Sequence, residues 1–232
     1  MHQGTVATLL EIGSGQWPSP GSVREARDQL EMLRHRVVAK GCPKTIRFVA
    51  GLDAHYRTDH GLVWGAAAVL EWPPLQLVES ALACRPLAFP YVPGLLSFRE
   101  GPALLAALAC LSHRPDLLFV DGQGIAHPQR FGLASYIGVL ANIPTIGVAK
   151  SRLLGRFEPP AAEKGAWSSL KDGGEVIGAV LRTRRNTRPV FVSVGQHVGL
   201  EAAIDLVVEA APHYRIPEPI RLADRLSRMH GP

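Results

Sequence analysis

The chain has 232 residues, of which 47% are hydrophobic and 19% charged, and its formal net charge is +5. This length can bury a core without disulfide or metal staples, and the composition is that of a globular protein rather than a disordered one. The longest wholly apolar run, residues 103–111, is far shorter than the roughly 20 residues that span a bilayer, which excludes an integral membrane protein.

The cysteines indicate the cellular compartment, and the net charge indicates the kind of binding partner. Cys42, Cys84 and Cys110 are widely spaced and include no Cys-x-x-Cys pair, which argues against a disulfide framework and a zinc site. No basic segment followed by an apolar stretch marks the N-terminus as a secretory signal. We therefore expect a cytoplasmic protein. The basic excess mildly favours a polyanionic partner, although a GC-rich coding sequence would give the same arginine bias.

The first part of the chain predicts an irregular lead-in, a capped helix and three strands, the last two joined by a proline-containing hairpin turn. These elements are the lead-in 1–21, a helix from Ser22, and the strands 45–52, 61–71 and 75–84, with the turn at 72–74. The first strand ends at Asp53. The short spacing of the second and third strands indicates that they pair antiparallel.

The second part of the chain alternates helices with short apolar runs, a pattern typical of strands buried beneath helices. The predicted elements are helix 99–112, strand 117–120, helix 132–140, strands 145–148, 175–181 and 190–194, and helix 200–210. Residues 216–232 form a proline-bearing tail with a short terminal helix. Three antiparallel strands followed by parallel strands predict an α/β fold, a mixed sheet flanked by helices, in one domain over residues 1–232.

Three carboxylates stand at informative places. Asp53 ends the first strand, Asp121 ends the fourth strand, and Glu100 opens the helix between them. Strand ends in an open α/β sheet share one crevice, so neighbouring first and fourth strands would bring Asp53 and Asp121 together. A cluster of carboxylate oxygens suits Mg²⁺ or Mn²⁺, which can activate water at a phosphate. The alternative is that these are ordinary turn and first-turn residues.

A second unusual segment contains Tyr91 between two prolines. Pro90 and Pro93 fix the backbone on either side, which predicts a stiff loop that presents the aromatic ring. On a nucleic-acid enzyme such a ring can replace an extruded base in the stack, and the alternative is a structural turn with a core tyrosine. Signatures of kinases, zinc proteases and α/β-hydrolases are absent from the sequence.

Four segments in register closely resemble the endonuclease V family. They are FPYVPGLLSFREGP at 89–102, DGQGIAHP at 121–128, IPTIGVAKSRL at 143–153, and RIPEP with RLA at 215–223. The likeness runs in order over about residues 45–225, which is more specific than a short motif. The resemblance implies an RNase H-like fold and a Mg²⁺-dependent endonuclease that acts on DNA containing deoxyinosine, with Mn²⁺ able to substitute. It also implies cleavage of the second phosphodiester bond 3′ to the lesion, leaving 3′-hydroxyl and 5′-phosphate ends.

The resemblance assigns roles to residues of this chain. Asp53, Glu100 and Asp121 would be the catalytic metal ligands, and Lys150 would stabilise charge at the scissile phosphate. Asp224 stands where members have His or Asp and could be a further ligand or supporting group. The DNA wedge would be Tyr91 with Pro90, Val92 and Pro93. The base pocket would be formed by Gly94, Leu96, Gly122, His127, Gly132 and Leu133.

Some alternatives stay open at this stage. The family pattern joins Gly to His near residue 195, whereas this chain inserts Gln196, so His197 has no assigned role. The basic run 182–188 suits either a phosphate contact or a solvated hairpin turn. Related functions are an endoribonuclease for inosine in RNA, a general single-strand nuclease, and a noncatalytic nucleic-acid-binding protein; the joint presence of the carboxylates and Lys150 argues against the last. A monomer is the simplest expectation for one strand in one crevice.

Overall fold

The computed structural model describes residues 19–57 and 60–229, so most of the expected lead-in lies outside the described residues. Five helices and eight strands follow one another along the described chain. The helices are α1 (Val23–Arg34), α2 (Leu96–Ala109), α3 (Leu133–Ala141), α4 (Leu200–Glu209) and α5 (Glu218–Met229). The strands are β1 (Phe48–Arg57), β2 (Leu62–Glu71), β3 (Gln76–Pro86), β4 (Leu117–Asp121), β5 (Thr145–Ala149), β6 (Trp167–Asp172), β7 (Glu175–Leu181) and β8 (Val190–Gln196).

All eight strands join one mixed sheet in the order β3-β2-β1-β4-β5-β8-β7-β6. The central strands β1, β4 and β5 run parallel, and the strands on both sides of them are antiparallel. The early antiparallel strands and the parallel strands that follow them are therefore as the sequence predicts, and the last three strands extend the sheet antiparallel. The carboxyl ends of the parallel strands lie at one edge of the fold.

Helices cover both faces of the sheet because β1 and β2 alternate apolar residues between two cores. Residues such as Leu52 and Val69 pack in one core with α2, whereas Val49 and Leu70 pack in the other with α5. Gly51 lets α5 approach β1 closely, since a Cβ there would lie 2.0 Å from the carbonyl of Pro219. Among the described residues, no helix is both long and apolar enough to cross a membrane.

Three predicted boundaries are wrong, each for a physical reason. β1 does not end at Asp53 but continues to Arg57, because its pairing with β2 extends beyond the end of β4. α2 begins at Leu96 rather than near residue 99, so Glu100 lies in its second turn and does not open it. The predicted terminal helix is present as α5, but it begins at Glu218, so Pro219, which was expected in the tail, lies in its first turn, a position that proline tolerates. α5 buries Ile220 and Ala223 against the sheet.

The predicted cap and one hairpin strand agree with the structure, and one strand was missed. The Ser22 hydroxyl accepts a hydrogen bond from the Glu25 amide at 3.1 Å and begins α1 as predicted. β7 has the predicted bounds. The sequence did not predict β6, because only Leu170 of this edge strand is buried and its apolar pattern is weak.

Candidate functional site

Parallel strands β1, β4 and β5 bring three charged side chains to one edge of the sheet. Leu52 of β1 pairs with Val120 of β4, so the residues that follow them, Asp53 and Asp121, lie side by side. Lys150 follows directly after the last residue of β5, the strand next to β4. The expected meeting of the first and fourth strands is therefore confirmed, although Asp53 lies within its strand.

Asp53 is buried between the neighbouring carboxylates and α5. The Ser227 hydroxyl of α5 lies 3.2 Å from Asp53 Oδ2, and it lies 2.9 Å from the carbonyl oxygen of Asp224. Burial, followed by the negative charges of Asp121 and Asp224, raises the pKa of Asp53 to about 8, while Lys150 opposes this rise. The carboxylate of Asp53 therefore lacks enough positive charge around it to ionise at its ordinary pKa.

Glu100 approaches the same edge from α2, on the opposite face of the sheet to α5. The Tyr56 hydroxyl donates a hydrogen bond of 2.5 Å to Glu100 Oε1. Burial raises the pKa of Glu100 to about 7, and the charge of Asp121 contributes, whereas the Tyr56 bond and Arg99 lower it. The Arg99 guanidinium lies 4.9 Å from the centre of the Tyr56 ring and packs against its face.

Lys150 is the central cation of the site. Its Nζ lies 2.5 Å from Asp121 Oδ2 and 3.9 Å from Asp224 Oδ1. Burial would lower the pKa of Lys150, but the bond to Asp121 and the charges of Asp121, Asp53 and Asp224 raise it instead, so the amine stays protonated. Arg228, one turn beyond Asp224, also contacts Asp224 Oδ1, at 2.9 Å.

The carboxylates of the site are engaged by donors of the chain itself. Among the described residues, no three His, Cys, Asp or Glu side chains converge closely enough to hold a metal ion. Lys150 binds Asp121, and Tyr56 binds Glu100. The donor set nevertheless suits a hard divalent cation, because it consists of carboxylate oxygens and because the raised pKa values of Asp53 and Glu100 indicate a shortage of positive charge.

A cavity of about 150 Å³ is lined by residues near the carboxylates in the chain, among them Gln123, two residues after Asp121, and Ser97, three residues before Glu100. Its lining includes five of the six predicted base-pocket residues: Gly94, Leu96, His127, Gly132 and Leu133. The sixth, Gly122, is not in the lining. It lies against Leu133, because a Cβ added at Gly122 would be 3.3 Å from the Leu133 side chain. The cavity also includes three residues that sequence reasoning missed: Ser97, Gln123 and Leu153.

His127 is one of the polar residues that line this cavity. The imidazole Nδ1 accepts a hydrogen bond of 3.3 Å from the amide of Gln129. Burial lowers the pKa of His127 to about 4, with repulsion from Arg130 adding to the effect and a backbone hydrogen bond with Gly94 opposing it. The ring is therefore neutral near pH 7, and its hydrogen bonds with the backbone at Gln129 and Gly94 fix its position in the wall.

The predicted wedge loop borders the cavity and exposes its tyrosine. The side chain of Tyr91 is 70% exposed, whereas Phe89 and Leu95 on either side of the loop are buried. Val92 is partly buried against the core, and Arg99 donates a hydrogen bond of 3.0 Å to the carbonyl of Phe89. Pro90 is outside the cavity lining, whereas Tyr91, Val92 and Pro93 are part of it. The alternative of a core tyrosine is wrong.

Sequence reasoning missed the groups that hold the carboxylates, Tyr56 and Ser227. Tyr56 lies three residues after Asp53, which places it on the other face of β1, towards α2. Ser227 lies three residues after Asp224, which is the spacing of one helical face. These spacings indicate which face Tyr56 and Ser227 occupy. They do not indicate the partner, because Glu100 and Asp53 lie on other elements.

The basic run 182–188 has a partly structural role. Arg182 donates hydrogen bonds to the carbonyls of Pro160, Ala161 and Thr187, and so joins the segment before β6 to the loop after β7. Arg184, Arg185 and Arg188 are exposed. Arg182 therefore has a structural role. The exposed arginines of the run are accessible to a phosphate, so the alternative of a phosphate contact remains for them.

Comparison with known proteins identifies relatives that all carry the same family name, Endonuclease V. The family model described as Endonuclease V matches residues 31–225. Endonuclease V of Trichormus variabilis is 51% identical over 211 residues, covering 90% of this chain and 96% of the relative. The crystal structure of Endonuclease V from Streptomyces avermitilis is 45% identical and superposes with a TM-score of 0.87, covering 91% of this chain and 93% of that one.

A third relative has been solved with nucleic acid. The crystal structure of Ciona intestinalis Endonuclease V, in complex with a 24mer DNA containing an inosine followed by a ribo-adenosine, is 28% identical with a TM-score of 0.77. It covers 89% of this chain and 96% of that one. These similarities confirm the predicted fold class, a mixed α/β sheet of the RNase H-like type flanked by helices.

Proposed function

Because the chain belongs to the endonuclease V family, we propose that its carboxylate site cuts the strand while the adjoining cavity holds the deaminated base. The protein is a hydrolase of phosphodiester bonds, a metal-dependent DNA repair endonuclease directed at deoxyinosine. One observation supports these two roles most strongly: Asp53, Asp121 and Lys150 lie where the parallel pairing of β1, β4 and β5 ends, and the cavity is lined by Gln123, two residues after Asp121, and by Ser97, three residues before Glu100.

Asp53, Glu100 and Asp121 would hold the metal, which we propose to be Mg²⁺, with Mn²⁺ able to substitute. When bound, such an ion supplies positive charge for the attacking water and for the phosphate oxygens. Asp121 would have to exchange its bond with Lys150 to act as a ligand. Asp224 and Ser227 would support this cluster from α5, since Ser227 bridges Asp53 and the Asp224 carbonyl.

Lys150 would then face the scissile phosphate, the second phosphodiester bond 3′ to the lesion. Its amine stays protonated beside the carboxylates and can stabilise negative charge that develops on a phosphate oxygen. A fixed cation in a partly water-excluded site stabilises that charge without reorganising during the reaction. The expected products have 3′-hydroxyl and 5′-phosphate ends.

The cavity would recognise hypoxanthine by its hydrogen-bonding edge. Hypoxanthine presents an O6 acceptor and an N1–H donor, whereas adenine presents the reverse pattern, so adenine would leave buried polar groups unpaired. Gly94 and Gly132 allow the backbone to approach the base, and the neutral ring of His127 forms part of the cavity wall without adding a charge. Guanine shares the hypoxanthine edge and would be excluded by its extra 2-amino group. Tyr91 would fill the gap that the extruded base leaves.

We further propose a single nuclease domain that acts as a monomer in the cytoplasm. All the described strands belong to one sheet, and one crevice accommodates one substrate strand. The cysteines at 42, 84 and 110 are free thiols, which fits a reducing compartment. Cleavage of inosine in RNA stays a second candidate, because the DNA bound by the Ciona relative carries a ribonucleotide directly after the inosine.

The test uses matched DNA and RNA oligonucleotides with and without one inosine, incubated with Mg²⁺, with Mn²⁺ or with EDTA. We expect a single metal-dependent cut at the second bond 3′ to inosine, stronger in DNA. Preferential cutting of the RNA would favour the endoribonuclease. Absence of cutting, or equal cutting of strands without inosine, would contradict the proposed function.

A further inference from the structure

The hairpin of β6 and β7 places two carboxylates directly opposite each other. Asp172 and Glu175 form the last pair of the hairpin, on either side of Gly173 and Gly174. Both glycines have positive φ values, 58° and 87°, which tight two-residue turns of a hairpin require. Like charges that face each other across a strand pair repel, so this arrangement needs a cation to offset the repulsion.

Arg130 provides that cation from a distant part of the chain. Its Nη2 lies 2.9 Å from Asp172 Oδ2, and its Nε lies 2.7 Å from Glu175 Oε2. The planar guanidinium thus divides its donors between two carboxylates, a geometry that an ammonium group cannot reproduce. We name this set of three residues, Asp172, Arg130 and Glu175, the hairpin clamp.

The clamp continues into the wall of the cavity. The remaining guanidinium nitrogen of Arg130, Nη1, donates to the carbonyl of His127 at 3.1 Å, and the Arg130 amide donates to the same carbonyl at 2.8 Å. Arg130 holds a left-handed backbone with φ of 56°, which is unfavourable for a residue other than glycine and needs tertiary support. The clamp therefore fixes the turn that carries the His127 ring.

The same hairpin supports the other end of this turn. Ala126, next to His127, is buried in a small core with Ile177 of β7 and Phe191 of β8. His127 is thus held between an apolar anchor at Ala126 and an ionic anchor at Arg130, and both anchors involve the β6–β7 hairpin. This hairpin contributes none of the proposed metal ligands.

We propose that the hairpin clamp positions His127 and thereby sets the selectivity of the cavity for hypoxanthine. The inference rests on the proposed function, since it assigns to the hairpin the recognition of the base rather than the cutting of the strand. Arg130 is a positioning residue that acts through His127. The clamp residues are 28% to 57% exposed, so the ion pairs contribute little to global stability, and their effect lies in the geometry of one turn.

The test measures binding of matched strands containing inosine, guanine or adenine, in EDTA so that nothing is cut. The ratio of dissociation constants for guanine over inosine reports selectivity. We expect Arg130→Ala to reduce this ratio about tenfold relative to wild type. Arg130→Lys should keep only part of the wild-type ratio, because an ammonium group cannot bond both carboxylates in the same way. The double variant Asp172→Asn/Glu175→Gln should have the same ratio as Arg130→Ala. Arg114→Ala, which removes an exposed arginine at the opposite end of β4, should keep the wild-type ratio.

A second measurement follows deuterium uptake by a peptide that covers residues 125–132. Uptake should rise in both clamp variants and stay unchanged in Arg114→Ala, because loosening the turn exposes its amides. Wild-type uptake and selectivity in the clamp variants would overturn the inference, as would a loss of selectivity in Arg130→Ala alone, which would mean direct contact with the substrate. If wild-type protein itself does not prefer inosine, the proposed function fails, and deuterium uptake still decides whether the clamp fixes the turn.

Discussion

At the scale of single residues, burial changes the ionisation of the two site carboxylates Asp53 and Glu100. Their pKa values rise to about 8 and about 7, chiefly because burial disfavours the charged form. The folded protein holds these protons at pH values where the unfolded chain has lost them. The contribution of Asp53 to the free energy of unfolding is therefore greatest below its ordinary pKa of 3.8, and it is lost as the pH rises towards 8.

The variant Asp53→Asn removes this titration while keeping the size of the side chain. In EDTA, we expect its Tm to fall less than the wild-type Tm between about pH 6 and about pH 8.5, as measured by thermal unfolding. Cleavage at inosine should fall at least about a thousandfold, because a metal ligand is lost, while binding of the strand persists.

Asp205→Asn provides the matched control, because Asp205 is an exposed aspartate on α4. It should retain both the wild-type pH dependence of Tm and the wild-type cleavage rate. Should Asp53→Asn cut at the wild-type rate, Asp53 is not a metal ligand. Parallel Tm curves for wild type and Asp53→Asn would mean that Asp53 ionises normally in the folded protein.

At the scale of elements, the wedge loop after β3 is buried at its base and exposed at its tip. Tyr91 is 70% exposed, while the flanking Phe89 and Leu95 are buried. We expect Tyr91→Ala to weaken the preference for inosine about tenfold in duplex DNA, which corresponds to about 1.4 kcal/mol of stacking, and to have little effect on single strands. Binding assays on both substrates measure the difference. Tyr91→Phe keeps the ring and should behave as wild type, and equal losses on both substrates would argue against a wedge.

Elements with a strong local pattern could be predicted from the sequence, and elements defined by their neighbours could not. β7 can be recognised in the sequence as a short apolar run, which the structure buries almost completely. α1 can be recognised by Ser22, the residue that caps it. The end of β1 depends on pairing with β2, a partner from another part of the chain. β6 has one buried residue, Leu170, and gives no periodic signal.

The same distinction holds for the candidate site. Asp53, Asp121 and Lys150 could be placed together because strand ends in an open sheet share an edge. Tyr56 and Glu100 are separated by 44 positions in the chain, and Ser227 and Asp53 by 174. No local sequence pattern can therefore predict these hydrogen bonds. Supporting groups of this kind depend on packing between elements, which the sequence specifies only through the whole fold.

At the scale of the whole molecule, the sheet separates two helices that approach the site from opposite faces. α2 carries Glu100, and α5 carries Asp224 and Ser227. Glycines in the sheet set both distances: a Cβ at Gly51 would lie 2.0 Å from the Pro219 carbonyl of α5. At Gly65, a Cβ would lie 2.3 Å from the Ala103 carbonyl carbon of α2. The helices must therefore move if either glycine gains a side chain.

We expect Gly51→Ala and Gly65→Ala each to lower the free energy of unfolding by about 3 kcal/mol, since the clash is with backbone that cannot rotate away. Urea denaturation measures this loss. At temperatures where both variants remain folded, cleavage should also fall, because α5 or α2 carries its carboxylate away from Asp121. Gly21→Ala is the control, because a Cβ there meets only the Glu25 carboxylate, at 3.6 Å. Wild-type stability in Gly51→Ala would show that α5 does not set its distance from the sheet through this contact.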